Sequence, residues 1–353
     1  MNADIKRVEP VAGAPALIRP GQLLTDAAGA AAVARWTAAV AEADGIFRIR
    51  LSPGVDVCDL SATVCDQGYR ASPNHVLVGQ PLFFGGPASR PFPTPAFPLP
   101  EAAESGEDAV TVAVADTGLA AHPWWCERPW FREQRREVPE PPDSDGDGRL
   151  DVQAGHGTFV TGLILRSAPA ARVRPLRVLN GHGVGDEAGL LRSLARLRID
   201  PPQVLNLSLG GHTYDNRPSP LLEAALATLA DTAVVACAGN TASDRPFWPA
   251  ALPGVIAVGA LDAAEETRAP FSAHGPWVDA CAGGEWTASA FLEHGAFHGY
   301  ARWSGTSFAT AVVSGAIAEA CRSRTPKEAA AHVLDPLRTR QIPDLGVVVP
   351  APR

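Results

Sequence analysis

The sequence predicts an α/β protein with a mainly parallel central sheet between two helical layers, preceded by a small α+β domain, and three observations carry that prediction. Downstream of residue 108, short apolar runs alternate with helical stretches, the pattern of parallel strands joined by crossover helices. Residues 81–107 are dense in proline and then acidic; such a stretch continues neither a helix nor a central strand, so it reads as an extended linker. Ahead of it, residues 1–80 mix helix-like and strand-like runs in a length suited to one small domain.

The first domain reads as a helix over 28–43, a strand over 45–51, a helix over 57–67 and a strand over 74–79. The Ala-rich 28–43 segment carries Arg35, Trp36 and Glu42, which makes it too short and too polar for a membrane span. Beyond the linker, strands over 110–115, 172–179, 203–207, 233–237 and 255–259 alternate with helices after His156, over 186–198, over 219–230 and after Ser307. Several of these strand runs are apolar throughout, as strands covered on both faces should be. A last helix over 325–333 follows, and the Pro-rich end from Ile342 to Arg353 is expected to be loosely held. The expected domain map is therefore 1–80, linker 81–107, main domain 108–335 and tail 336–353.

With 46% hydrophobic and 19% charged residues among 353, the chain has the composition of a folded protein rather than a disordered one. A net charge of −8 and no basic patch with interleaved aromatics exclude nucleic acid as an expected partner. No segment reaches membrane-spanning length, and residues 1–10 lack a basic start followed by an apolar run, so a cytoplasmic location is expected. The six cysteines, Cys58, Cys65, Cys126, Cys237, Cys281 and Cys321, lack metal-ligand spacing and are expected to be reduced thiols.

The chemistry is concentrated in three segments. Val112 to Gly118 is an apolar run ending in Asp116-Thr117-Gly118, Gly155-His156-Gly157-Thr158 opens a helical run, and Ser304-Gly305-Thr306-Ser307 opens another. A serine hydroxyl is a poor nucleophile until an imidazole accepts its proton, and the imidazole needs a carboxylate to fix its tautomer. Singly, Asp116 suits a turn, His156 a packed position and Ser307 a helix N-cap. Together, in the order Asp, His, Ser, the segments resemble those of the subtilisin-like serine proteases, the subtilases.

Further segments extend the resemblance over roughly 108–322: His122-Pro123, Asn206 to Gly211, Ala233 to Asn240, Phe247 to Ala250 and Gly254 to Ala260. The resemblance implies a subtilisin-like three-layer fold and a serine endopeptidase working through an acyl-enzyme. In that reading Ser307 is the nucleophile, His156 the base and Asp116 its orienting carboxylate, while Asn240 and the Ser307 amide form the oxyanion hole. It also implies that a protein or peptide substrate lies along the backbone of Ser208, Leu209 and Gly210 and near Gly239. No cofactor is needed for such chemistry. The first domain matches a subtilase propeptide in position and size, hence an intramolecular inhibitor, with a permanent accessory domain as the competing reading. An attached N-terminal domain without an export signal favours a processing protease over a scavenging one. The alternative function is a catalytically silent scaffold that binds peptides.

Some residues depart from the family pattern. Phe159, Phe308 and Ala311 replace a frequent histidine, methionine and proline, and Ala282-Gly283-Gly284 replaces the usual Ala-Pro-Gly; none of these removes a catalytic group. Between the Asp and His segments, Asp143, Asp145, Asp147 and Asp151 stand at positions one, three, five and nine of a calcium-loop pattern with Gly146 at six. Position twelve is Ala154 rather than a bidentate glutamate, so a structural calcium there needs another ligand. A solvated acidic turn is the competing reading.

Overall fold

The run Thr111–Asp116 forms a strand buried from its second residue onward, and everything in the main sheet is placed by its neighbours. In the computed structural model, which describes residues 4–79, 90–99, 109–134 and 139–351, eight strands form this sheet. Their order is Gln341–Ile342, Gly346–Val348, Ala280–Gly283, Ile256–Leu261, Ala233–Cys237, Val204–Leu207, Thr111–Asp116 and Arg172–Arg177. Every pair is parallel except the terminal hairpin of the first two. The chain enters at Thr111–Asp116, places its next sheet strand on one side and then crosses to Val204–Leu207 on the other. The carboxyl end of Thr111–Asp116 is therefore a topological switch point, where adjacent connections diverge and leave a crevice.

Two helices, His156–Ser167 and Thr306–Ala320, are buried over most of their length. Phe159, Ile164, Phe308 and Val312 share one apolar core with Val112, Val114 and Val235 of the sheet. A hairpin of Thr287–His294 and Phe297–Trp303 accepts Phe92–Pro93 on its edge. The end of the linker thus does more than connect: Phe97 packs on Trp124 and Tyr300, both with ring centroids 5.3 Å away. The rest of the expected linker, 81–89 and 100–107, lies outside the described residues.

The chain forms two compact units, and their division corrects the expected map. The first contains Met1–Leu77 together with Gly185–Pro201 and Gly211–Ala230; the second contains Val78–Val184, Pro202–Gly210 and Asp231–Arg353. Two helices expected in the main domain, Glu187–Leu197 and Pro220–Ala227, thus belong to the first unit. That unit is α+β, with Thr37–Ala43, Ile46–Leu51, Ala16–Thr25 and Ala71–Val78 in sheet order and Lys6–Val8 paired on Ala16–Thr25. Helix Val57–Asp66, capped by Asp56, packs its Val57, Leu60 and Val64 with Ile18, Leu23 and Ile49.

The expected helix over 28–43 is corrected as well. Only Ala27–Ala32 is α-helical; Thr37–Ala43 is a strand antiparallel to Ile46–Leu51. The turn between them is Asp44-Gly45, with φ of 55° and 79°, the backbone a tight hairpin demands. The C-terminal end is not loosely held: Gly346–Val348 pairs with Ala280–Gly283, and Leu345, Val347, Val348 and Val349 are buried. All six cysteines are free thiols. No helix among the described residues is long and apolar enough to cross a membrane.

Deleting residues 341–353 removes that edge strand and should cost on the order of 4 kcal/mol, lowering Tm by roughly 10 °C in a thermal melt. An unaltered melt would return the segment to the status of a loose tail.

Candidate active site

Asp116 ends its strand at the switch point and is buried there. Its Oδ1 accepts the Thr117 backbone N–H at 2.7 Å and lies 2.7 Å from Nδ1 of His156. A carboxylate only accepts, so Nδ1 carries a proton, which in the neutral ring puts the lone pair on Nε2. His156 is the first residue of its helix and is fully buried, with its ring against Trp303 and Phe308 at 5.6 and 5.5 Å. Its Nε2 has no hydrogen-bond partner among the described residues.

Two glycines permit this approach. A Cβ on Gly157 would stand 2.2 Å from the Gly118 carbonyl oxygen, and one on Gly118 would stand 2.8 Å from that of Pro139. Gly118 also has φ of 130°, so the Asp-Thr-Gly turn needs its glycine for conformation as well as for space.

Ser307 is the second residue of the helix Thr306–Ala320 and is buried. Its Oγ lies 3.1 Å from the Gly79 carbonyl oxygen and 3.3 Å from that of Ser208. Gly79 joins this group to His156, because its Cβ position is 3.8 Å from His156 Cε1. Asn240 follows the strand Ala233–Cys237, and its Oδ1 accepts both the backbone N–H (2.9 Å) and the hydroxyl (3.0 Å) of Thr306. Those two donors fix which way the amide faces: the oxygen toward Thr306, the nitrogen away from it.

The expected substrate-lining residues divide. Ser208 donates through its hydroxyl toward Asn206 Oδ1 (2.9 Å) and the Ser307 carbonyl (3.1 Å), bracing the floor. Gly210 exchanges two backbone bonds with Val78, 2.8 and 3.0 Å, in an antiparallel bridge, and the Gly79 N–H donates to the Gly183 carbonyl at 2.9 Å. An extended segment of the chain itself therefore lies where a substrate was expected. Leu209 sends its side chain into the interior, and the Gly239 N–H goes to the Thr306 hydroxyl at 3.1 Å.

Sequence reasoning missed Val78, Gly79, Gly183 and a fourth residue, Glu140. This buried carboxyl accepts from the Thr117 hydroxyl, from Gly155 N–H (2.9 Å), and from the Thr158 N–H (3.0 Å) and hydroxyl. Gly183 had a signal, the glycines of Gly181-His182-Gly183; Glu140 had none.

The acidic loop does not gather its four aspartates at one point. Asp143, Asp145 and Asp147 converge, whereas Asp151 groups with Asp145 and His182. Asp143 accepts from Gly146 N–H (2.6 Å), Asp147 N–H (3.2 Å) and Gly148 N–H (2.8 Å), bonds that hold its carboxyl below the usual range. Asp151 is buried and accepts from the N–H (3.0 Å) and hydroxyl of Ser144. Ala154, at position twelve, is buried and offers no oxygen from its side chain.

Comparison with known proteins agrees with the architecture. The model of the subtilase family matches residues 107–342. Over 221 residues the chain is 35% identical to subtilisin BL of Lederbergia lenta, a match covering 59% of this chain and 75% of that protein. It is equally identical to an alkaline protease of Shouchella clausii, over 59% of this chain and 53% of that one. A cold-adapted subtilisin-like serine proteinase of known crystal structure shares the fold, with TM-score 0.56 and 24% identity, covering 73% of this chain and 94% of that one. The protein is thus a serine endopeptidase by class. It belongs to the subtilase family.

Beside the site, burial pushes His122 down to about 4, against the raising effect of its 2.9 Å bond to the Gly299 carbonyl. A histidine whose folded-state pKa is depressed contributes stability above its unfolded value, and that contribution is lost as pH falls from about 6.5 toward about 4. His122→Gln should flatten this acid slope of Tm; an unchanged slope would show that His122 does not set it.

Proposed function

We propose that the chain hydrolyses peptide bonds with Ser307 as nucleophile, His156 as general base and acid, and Asp116 as the carboxylate that orients the imidazole. The observation that supports this reading is the 2.7 Å Asp116–His156 hydrogen bond through Nδ1, which leaves Nε2, without a hydrogen-bond partner among the described residues, as the nitrogen that would take the serine proton. In the first step the Ser307 hydroxyl leaves its carbonyl acceptors and gives its proton to Nε2 as Oγ bonds to the scissile carbon. The Ser307 N–H, at a helix N-terminus, and the Asn240 amide stabilise the oxyanion. Collapse breaks the C–N bond while Nε2 returns the proton to the leaving amine. Water then repeats the sequence on the acyl-enzyme, with His156 again as base. The chain's own side chains and the Ser307 backbone N–H supply nucleophile, base and oxyanion donors, so this scheme calls on no cofactor.

The same reading makes residues 1–80 an intramolecular inhibitor and the protease a processing enzyme. It is supported by Val78, which pairs with Gly210 where this reading puts a bound peptide, and by the Gly79 carbonyl, 3.1 Å from the serine hydroxyl. The chain leaves that position toward residue 80, so self-cleavage would fall directly after Gly79 or within a residue of it. A peptide-binding scaffold without catalysis remains the alternative to be tested. Mass spectrometry of the parent and of Ser307→Ala, each with and without a fluorophosphonate probe, separates them. We expect only the parent to gain the probe mass and to release a fragment ending at about Gly79. A labelled parent that stays whole makes the N-terminal region a permanent domain, and a protein that takes no probe even after that region is removed supports the scaffold.

We also propose a structural calcium held by Asp143, Asp145 and Asp147, with Gly146 (φ 77°) making the turn. Three convergent carboxylates are an oxygen donor set suited to a hard cation. Asp151, engaged with Ser144, would brace the loop instead of binding the ion. Chelation should lower Tm and calcium should restore it; a melt indifferent to both leaves a solvated acidic turn.

A further inference from the structure

We propose that Glu140 is a positioning residue for the reaction, a carboxylate that clamps the Asp116-Thr117 turn to the first turn of the His156 helix and thereby sets the Asp116–His156 geometry. This role rests on the endopeptidase reading above.

The clamp is built from four donors on two segments. Oε1 takes the Thr117 hydroxyl and the Gly155 N–H, and Oε2 takes the N–H and hydroxyl of Thr158. Thr117 directly follows Asp116, while Gly155 and Thr158 bracket His156, so one side chain ties together the backbones that carry both partners of the 2.7 Å bond. The Thr117 oxygen closes the loop by accepting the Gly157 N–H at 2.9 Å. Its single proton goes to Glu140, since Asp116 Oδ1 is farther away at 3.2 Å.

A carboxylate fits this cradle. Its two oxygens accept all four donors, whereas the amide of glutamine would turn an NH2 group toward donors on one side. Carboxylate charge is also favoured at the start of a helix. Retaining it here is costly: burial, with the nearby Asp116 charge, pushes Glu140 up to about 7 despite the opposing bonds from Thr117 and Thr158. Of the titratable groups, Asp116 and His156 are those carried by the two segments the clamp joins.

The test compares parent, Glu140→Gln and Thr158→Val by the kinetics of fluorophosphonate labelling, with near-UV circular dichroism and melting as the folding control. We expect Glu140→Gln to keep the native spectrum and the apparent KI but to lose at least 10-fold in the inactivation rate constant, with Glu140→Asp recovering part of it. A natively folded Glu140→Gln that labels at the parent rate overturns the clamp. If that variant does not fold, Thr158→Val decides: a several-fold slower inactivation at unchanged KI supports the clamp, and parent kinetics overturn it. A protein that takes no probe even after the N-terminal region is removed instead overturns the endopeptidase reading, and the clamp's role with it.

Discussion

A carboxylate and an imidazole held side by side without solvent are the constraint around which the main unit is arranged. Asp116 and His156 are both buried, so their 2.7 Å bond is not weakened by water, and neither group tolerates misalignment. The parallel sheet delivers the carboxylate at a strand end, and a buried helix delivers the imidazole at its first residue. Glycines 118 and 157 allow the two turns to touch, and Phe308 and Trp303 close the ring's apolar side. Each of these choices serves one interatomic distance.

The serine hydroxyl stands in a different balance. It is offered to the carbonyls of Gly79 and Ser208, while the nitrogen that would activate it has no partner among the described residues. In the proposed reading the chain's own segment occupies the cleft, and the Gly79 carbonyl is a competing acceptor for the proton on which nucleophilicity depends. Pairing with Gly210 and Gly183 uses backbone groups alone, so a segment held this way is recognised by its extended shape before any side chain is read.

Legibility in the sequence followed the range of the interactions. Thr111–Asp116 was readable because an apolar run ending in Asp-Thr-Gly carries its own boundary. The helix starts at His156 and beside Ser307 are legible because their glycine-rich segments are local. Thr37–Ala43 reads as helix because alanine favours helix, while the deciding signal, Asp44-Gly45, is a two-residue turn at its end. Gly346–Val348 was passed over amid prolines, although Val347, Val348 and Val349 are apolar and buried. Glu140 was invisible for a deeper reason: its partners lie 15 to 23 residues away, and no periodicity links them. The acidic loop showed the converse, a clear local pattern whose ninth residue folds toward a different set of groups.

The short strand Phe92–Pro93 bears on what a cut after Gly79 would liberate. From that point to the hairpin edge there are only the twelve residues 80–91, which fully extended reach at most roughly 43 Å. The freshly made amino terminus would stay on a leash moored beside Trp124 and Tyr300, unable to diffuse beyond that radius. Its local concentration at the cleft would be fixed by tether length, independent of how dilute the protein is.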